Sequence, residues 1–231
     1  MRDSIYATGE YARKSPTYHV EDSAWKAVQI LRMIRRHGLT MESVAEIGCG
    51  AGEILRELQR QLPVDVVFYG YDISPQAIAL SKARANERLT FFCEDLLSKA
   101  TEQFDLLLCI DVVEHVEDYM GFLRRMRAKA SRFIFHIPLD LSVQMVLRCR
   151  PILRAREEVG HLHYFMKETA LATLRSCDYQ ILGWEYTPSG LDQPKSLEAR
   201  LMKAPRRVLF AASRDLAVRL LGGYSLLVLA Q

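Results

Sequence analysis

Three glycines alternate with other residues at positions 48, 50 and 52, and Glu46 lies two places before the first of them, in the stretch VAEIGCGAGEIL. The apolar run before them is typical of a strand, and the pattern GEILRELQRQL, which begins at Gly52 and continues beyond the stretch, is typical of a helix. Glycine lets a backbone come close to a ligand, and the first turn of a helix offers N–H groups that no helix carbonyl accepts. The stretch therefore predicts a ligand-binding turn between a strand and a helix.

Two kinds of ligand would suit such a turn. Enzymes that bind dinucleotides use the spacing G-x-G-x-x-G and place the pyrophosphate at the helix N-terminus. Here the third glycine, Gly52, comes one residue early, and Glu53 would set a negative charge against the phosphates. An NAD-dependent oxidoreductase is therefore the poorer interpretation of this turn.

Acidic residues follow the next three predicted strands. Asp72 ends the second strand, 20 residues beyond Gly52, where a carboxylate can accept hydrogen bonds from two ribose hydroxyls. Asp95 follows the third strand, and Asp111 ends the fourth in the run FDLLLCIDVVEHVED. Together with the pattern E-x-G-x-G-x-G, these signals resemble the class I methyltransferases that depend on S-adenosylmethionine (SAM), over about residues 44–186 and the final strand.

The resemblance implies SAM as the cofactor and S-adenosylhomocysteine as the product. Glu46 is expected to face the ammonium of the methionine part, Asp72 the ribose, and Asp95 the adenine amino group, with the backbone of the next residue against the adenine ring. Ile110 and Asp111 are expected to border the methyl group. The predicted cofactor contacts are Glu46, Gly48, Cys49, Gly50, Gly52, Asp72, Ile73, Asp95, Leu96, Ile110 and Asp111.

Short apolar runs alternate with helical patterns from residue 44 onward, without the apolar–polar alternation of a half-exposed sheet. Seven such runs predict an α/β fold: a doubly wound, mostly parallel seven-stranded sheet with helices on both faces, an antiparallel final strand and helical insertions. We expect residues 1–43 to form an N-terminal helical cap. Residues 44–231 would form the SAM-binding domain, with insertions at 139–163 and 190–223.

Methyl transfer from a sulfonium is an in-line displacement, so the protein has to align the acceptor and exclude water. A hydroxyl acceptor also gains from a general base, and His136 and His161 are the two catalytic candidates. Tyr11, Tyr18 and His163 are predicted to contact the acceptor. Packing alone is the alternative role for each of these five side chains.

The N-terminal segment permits two arrangements that do not exclude each other. Its tyrosines could fold across the cofactor as a lid, with aromatic faces near the sulfonium. The helix that follows could pack on the sheet edge through Trp25, Val28, Leu31 and Ile34 and end at Gly38.

The run DVVEHV permits a metal site, although we assign no metal ligands. In a helix, Asp111, Glu114 and His115 would share one face. Some members of the family with a similar Glu–His pair hold a metal there, such as ubiquinone-pathway O-methyltransferases and small-RNA end methyltransferases. Capping and orientation of the cofactor loop are the commoner uses of such residues.

Composition argues against a protein built mainly to bind nucleic acid. The net charge is only +3, no separate RNA-binding module is visible, and CIDVVEH stands where many nucleic-acid methyltransferases carry N-P-P-[YF]. Five scattered cysteines predict reduced thiols, and neither a signal peptide nor a transmembrane run is expected. These features together predict a cytoplasmic protein.

The second insertion is basic, because residues 191–223 contain seven Lys or Arg and three Asp or Glu, a net charge of +4. A basic amphipathic stretch can lie on an anionic membrane surface or hold an acidic acceptor, while a solvated basic face is the plainer alternative. We therefore predict a SAM-dependent methyltransferase of a small-molecule or lipid/glycan-linked acceptor, acting at oxygen. An RNA methyltransferase and a non-catalytic SAM-binding protein are the alternatives.

Overall fold

The computed structural model describes residues 9–18, 20–192 and 203–231, so parts of the predicted cap and of the second insertion lie outside the described residues. The described strands are β1 Ser43–Ile47, β2 Val67–Tyr71, β3 Leu89–Phe92, β4 Phe104–Ile110, β5 Ala130–Pro138, β6 Ile181–Thr187 and β7 Ser225–Ala230. The described α-helices are α1 Glu10–Lys14, α2 Val20–Arg36, α3 Glu53–Gln59, α4 Pro75–Ser81, α5 Tyr119–Met126, α6 Val143–Arg148, α7 Arg150–Arg154, α8 Lys167–Ser176, α9 Ser189–Asp192, α10 Lys203–Ala212 and α11 Arg214–Leu220.

The strands form one sheet in the order β3-β2-β1-β4-β5-β7-β6. Every pairing from β3 to β5 is parallel, and β7 lies antiparallel between β5 and β6. The predicted fold class, including the antiparallel final strand, is confirmed. This topology brings the carboxyl ends of β1 to β5 to one edge of the sheet, where ligands bind in doubly wound folds.

Both faces of the sheet are buried, which explains the continuous apolar runs. Along β4, Leu107 and Cys109 belong to a cluster with residues of α5, α8 and α11. Leu106 and Leu108 belong to the opposite cluster, with residues of α2, α3 and α4. Burial of side chains on both faces favours a continuous apolar run along a strand.

Helix α2 begins a few residues before the predicted start and ends before Gly38, whose φ of 58° is left-handed. Its buried apolar residues recur with helical spacing: Ala27, Ile30, Leu31, Met33 and Ile34. The expectation that Val28 packs inward is wrong, because this face turns Val28 outward, with 38% of it exposed. The buried face of α2 belongs to the same core as β1, β4 and α3, while the boundary at residue 43 stays a prediction.

Helices occupy the described parts of both insertions. The first contains α6, α7 and a π-helical turn over Ala155–Val159, and the second contains α9, α10 and α11. Among the described residues, no helix combines the length and the apolar character that a membrane crossing requires.

Candidate active site

The glycine turn lies at the carboxyl end of β1 and reaches across to β2. The backbone N–H groups of Gly48 and Cys49 both donate to the carbonyl of Tyr71, at 2.8 and 3.1 Å. Gly48 has φ 69°, and a Cβ there would lie 2.5 Å from a methyl carbon of Val112. Gly52 has φ 76°, and a Cβ there would lie 2.4 Å from the ring of Phe91. Only glycine fits these two positions, and the turn leads directly into α3.

Asp72 follows β2 and holds the turn in place. Its carboxylate accepts hydrogen bonds from the backbone N–H of Gly50 at 2.9 Å and of Ser74 at 2.8 Å. Burial raises the pKa of Asp72, and these two N–H groups oppose that shift. Each oxygen keeps a further lone pair, so the carboxylate can still accept from ribose hydroxyls. Ile73, next in the chain, is 49% exposed at the same edge.

Asp95 and Leu96 follow β3 and differ in exposure. Asp95 is exposed, and one of its oxygens accepts from the backbone N–H of Leu97 at 2.9 Å. Leu96 is buried in the core. Its side chain therefore faces inward, so a contact of Leu96 with adenine would come from its backbone, as predicted.

A buried charge cluster lies beside the turn. Glu46 is 1% exposed, and its Oε2 has no hydrogen-bond partner among the described residues. Lys26, which comes from α2, forms an ion pair with Asp111 at 2.7 Å. Burial raises the pKa of Glu46 well above its ordinary value, and the ammonium of Lys26 opposes that shift. Sequence reasoning missed Lys26.

Asp111 lies just beyond β4 with φ 54° and carries two partners. Besides Lys26, its carboxylate bonds Nδ1 of His136 at 2.5 Å. Burial acts to raise the pKa of Asp111, but these two partners outweigh it and hold the pKa well below its ordinary value. The predicted residue therefore stays ionised at the edge of the sheet.

His136 is 3% exposed, and both of its ring nitrogens are engaged. With Nδ1 against Asp111, Nε2 bonds the hydroxyl of Thr187 at 2.8 Å. To act as a base through Nε2, His136 would have to give up its hydrogen bond with Thr187 and form one with the hydroxyl of the acceptor. Thr187 is a second residue that the sequence did not reveal, because nothing in its local pattern marks it.

A cavity of about 100 Å³ opens where the edge of the sheet meets α2. Trp25 borders it and donates its indole N–H to Asp192 at 3.0 Å. The residues that line the cavity are Asp22, Trp25, Lys26, Asp111, His136, Pro138, Ser189 and Ser225. The structure therefore brings His136 and Asp111 together with residues from α2 and from the strand β7.

The predicted acceptor contacts lie in two places. The Tyr18 hydroxyl and the Ser74 hydroxyl are 2.8 Å apart, and the Tyr11 and Tyr18 rings are 5.4 Å apart. A Cβ at Gly50 would lie 3.5 Å from the Cβ of Tyr18, so Tyr18 lies against the glycine turn with Tyr11 beside it. Burial raises the pKa of Tyr11 to about 12. His163 instead donates from Nε2 to the Val116 carbonyl at 2.9 Å and packs on Tyr119. An acceptor contact by His163 stays a prediction.

Glu114, His115 and His161 could hold a metal ion, since one ligand atom from each lies within 4.8 Å of the others. Glu114 is 1% exposed, and neither of its carboxylate oxygens has a hydrogen-bond partner among the described residues. His115 and His161 are oriented through Nδ1, by the Gly160 carbonyl at 3.1 Å and by Asp140 at 2.8 Å. Such outer bonds commonly fix histidine ligands.

The observed ligand set differs from the helical set considered from sequence. Residues Val113–His115 form a short 3-10 helix instead of an α-helix. The carboxylate of Asp111 lies against Lys26 and His136 and does not join the cluster. His161 supplies the third group instead. One carboxylate and two imidazoles suit Mn²⁺, Fe²⁺ or Zn²⁺ better than Ca²⁺.

We expect Mn²⁺ to bind the wild-type protein and to bind Glu114→Gln at least about 10-fold more weakly, because loss of a ligand should exceed the effect of losing an outer-shell partner. Electron paramagnetic resonance of free Mn²⁺ measures the binding. His163→Asn is the matched control, since His163 lies nearby in the chain outside the cluster. Equal Mn²⁺ affinity for the wild type and Glu114→Gln would exclude the site.

The charges at this edge favour a cationic ligand. Three carboxyl groups, of Glu46, Asp72 and Asp111, lie at this edge. Among the described residues, the ammonium of Lys26 acts on Glu46 and is already paired with Asp111. A pyrophosphate would meet repulsion here, whereas a sulfonium with an ammonium group would find carboxylates. The fold and the arrangement of these side chains together fit a SAM-dependent methyltransferase of class I.

Comparisons with known proteins support this class of protein. A family model described as a methyltransferase domain matches residues 45–132. The ubiquinone biosynthesis O-methyltransferase of Vibrio vulnificus (strain YJ016) is 23% identical over 168 residues, which cover 65% of this chain and 70% of that protein. Residues 45–132 therefore match a methyltransferase domain, and the similarity of the chain to class I SAM-dependent methyltransferases supports SAM as the cofactor.

Two solved structures show the same fold. The magnesium protoporphyrin IX methyltransferase from Synechocystis PCC 6803 with bound S-adenosylhomocysteine has a TM-score of 0.61 at 17% identity, covering 99% of this chain and 96% of that one. The N-methyltransferase NodS from Bradyrhizobium japonicum WM9, in complex with S-adenosylhomocysteine, has a TM-score of 0.57 at 19% identity, covering 89% and 84%. The individual SAM contacts predicted for this chain remain predictions.

Proposed function

We propose that this methyltransferase acts on a hydroxyl oxygen of a small molecule, including lipid- or glycan-linked precursors. The observation that carries the proposal is the cavity of about 100 Å³ beside Asp111, which is small and bordered by the indole of Trp25. A cavity of this size admits one substituent of an acceptor. The name of the Vibrio relative, an O-methyltransferase, supports oxygen as the methylated atom.

The cofactor would be held by the glycine turn, with Asp72 at the ribose and Glu46 at the methionine ammonium. When bound, SAM supplies an electrophilic methyl group on a cationic sulfur. Asp111, held ionised by Lys26 and His136, would stabilise positive charge near that position. Trp25 and the tyrosines over the turn would exclude water from the reacting atoms.

Of the two candidate bases, we favour His161 over His136. Nε2 of His136 already bonds Thr187, whereas His161 uses Nδ1 for Asp140, and no described residue forms a hydrogen bond with its Nε2. A carboxylate bonded to Nδ1 fixes the tautomer and the orientation of the imidazole. With a divalent cation in the cluster, His161 would serve as a ligand, and the cation would lower the pKa of a bound hydroxyl.

The experiment that tests the proposal uses SAM carrying a ¹³C-labelled methyl group. The purified protein is incubated with it and with fractions of small molecules, lipids and RNA, and the new methyl signals are recorded by NMR. We expect signals of methoxy groups in the small-molecule or lipid fraction. Signals of N-methyl groups would overturn the oxygen assignment, and label in RNase-sensitive material would favour the RNA methyltransferase. Calorimetric SAM binding without any methyl consumption would favour a non-catalytic protein.

We also propose that the helical insertions contact an anionic membrane surface. Leu147 is 81% exposed on α6 and Val208 is 71% exposed on α10, each beside an arginine, Arg148 and Arg207. Exposed apolar side chains next to basic ones are typical of interfacial helices.

We also propose that the protein works in the cytoplasm, because its scattered thiols suit a reducing compartment.

The double variant Leu147→Glu/Val208→Glu should lose binding to vesicles that contain phosphatidylglycerol, because it removes apolar contact and adds charge repulsion. Co-sedimentation with phosphatidylcholine vesicles, with and without phosphatidylglycerol, measures this. Val64→Glu is the control, since Val64 is 82% exposed outside both insertions. Absence of wild-type binding to anionic vesicles would exclude the membrane contact.

A further inference from the structure

Helix α10 directs two side chains, one turn apart, toward the segment before β7. Phe210 stacks on Tyr224, with ring centroids 5.2 Å apart and planes at 14°. Arg206 lies against two backbone segments: a Cβ at Gly190 or at Gly223 would be only 3.3 or 3.4 Å from its Nη1. These glycines therefore leave room for the guanidinium, and their backbones are joined by a hydrogen bond of 2.9 Å.

Two polar groups here are buried without a partner among the described residues. They are Nε of Arg206 and the hydroxyl of Tyr224, whose residue is only 3% exposed. Burial raises the pKa of Tyr224, and the charge of Arg206 opposes that shift, so the two groups are electrostatically coupled. Buried donors without acceptors destabilise a folded chain unless something accepts from them.

Two chain segments connect the surroundings of this pair with the cavity beside Asp111, although neither Arg206 nor Tyr224 itself lines that cavity. Gly190 follows Ser189 and Tyr224 precedes Ser225, and both serines line the cavity beside Asp111. The neighbouring carboxylates are engaged elsewhere, since Asp192 bonds Trp25 and Asp215 bonds Lys167 and Tyr186. The described surroundings therefore leave the positive charge of Arg206 without a hydrogen-bonded carboxylate.

We propose that Arg206 and Tyr224 bind an oxyanion of the acceptor, a phosphate or a carboxylate. A guanidinium N–H and a phenol O–H can both donate to such a group, and charge-assisted bonds of this kind are strong. The assignment rests on the proposed function and narrows it: the acceptor carries an anionic group on the α10 side of the hydroxyl that receives the methyl group. Both a soluble phosphate ester and a phospholipid offer this chemistry.

Phenyl phosphate is a suitable probe, and calorimetry on the protein saturated with S-adenosylhomocysteine measures its binding. We expect binding to the wild type, at least 10-fold weaker binding to Arg206→Gln, and partial retention in Arg206→Lys, which keeps the charge. Arg207→Gln, next to it on an exposed position of α10, should bind like the wild type. Equal affinity for the wild type and Arg206→Gln, or no wild-type binding, would overturn the assignment.

Tyr224→Phe separates ligand binding from structure. The variant removes a buried hydroxyl without a partner, so the free protein should melt at the same temperature or higher, while phenyl phosphate binds several-fold more weakly. A lower melting temperature together with unchanged probe affinity would mean that Tyr224 serves the fold alone.

Two further measurements distinguish the possible reasons for a change in phenyl phosphate binding. S-Adenosylhomocysteine binding is measured in every variant and should stay unchanged, so a lost cofactor site cannot be mistaken for a lost oxyanion site. Vesicles containing phosphatidic acid are then offered in competition with phenyl phosphate. Competition at Arg206 would point to a phospholipid source, and its absence to a soluble phosphate ester.

Discussion

Replacement of Lys26 by methionine is expected to destabilise the fold by about 3 kcal/mol at neutral pH. Removing one partner of a buried ion pair leaves the other charge unpaired and costs about 3–5 kcal/mol. Lys26 keeps 16% of its side chain exposed, which argues for the lower end of that range. Urea unfolding of wild type and variant gives the difference in the free energy of unfolding.

The loss of stability in Lys26→Met should depend on pH, because it arises from the ionised carboxylate of Asp111. In the wild type the pKa of Asp111 is held well below its ordinary value, so this carboxylate stabilises the fold above an unfolded pKa of about 4 and ceases to do so as the pH falls below it. Without Lys26 the folded-state pKa of Asp111 rises. The difference between wild type and variant should therefore be largest at neutral pH and shrink as the pH falls.

Two further variants test the cause. Lys99→Met removes a lysine whose ion pair with Glu94 lies at the surface, and it should change stability little. Lys26→Met/Asp111→Asn should be more stable than Lys26→Met alone, because it no longer buries the charge of Asp111 without its lysine. The single variant Asp111→Asn completes the comparison. If the double variant loses as much free energy of unfolding as Lys26→Met and Asp111→Asn lose when added together, the ion pair does not stabilise the fold.

The glycine turn was predictable because its conformational requirements are local. Positive φ angles at Gly48, Gly50 and Gly52 follow from the type of turn, and a carboxylate at the end of β2 is fixed by strand spacing. The sheet was predictable for a similar reason, since burial on two faces leaves an apolar run in the sequence. By contrast, no pattern in the sequence indicates that β7 lies between β5 and β6.

The polar partners of the site were not predictable, because they meet only through the tertiary fold. Lys26 looks like any lysine on an amphipathic helix until α2 lies across the sheet edge and presents it to Asp111. His161 joins Glu114 and His115 only because the first insertion folds back, where the N–H groups of Leu162 and His163 donate to the Glu114 carbonyl. Hydrogen bonds between distant residues leave no periodic pattern.

The second large effect concerns Asp72. Asp72→Ala should weaken SAM binding by about 1.5–3 kcal/mol, roughly 10- to 150-fold, because charge-assisted hydrogen bonds are lost. The variant removes both the acceptor for the Gly50 N–H and the predicted acceptor for the ribose. Calorimetric titration with SAM measures the change. Asp65→Ala, at an exposed acid in the turn before β2, should bind SAM like the wild type.

The two roles of Asp72 can be separated with a modified ligand. S-Adenosylhomocysteine and its 2′-deoxy analogue should differ in affinity for the wild type, because we expect the 2′-hydroxyl of the ribose to donate to Asp72. For Asp72→Ala the two ligands should bind almost equally, since the acceptor of that hydrogen bond is gone. If the variant still prefers the ligand with the 2′-hydroxyl to the same extent, Asp72 shapes the glycine turn and another group binds the ribose. Unchanged SAM affinity in Asp72→Ala would remove both roles.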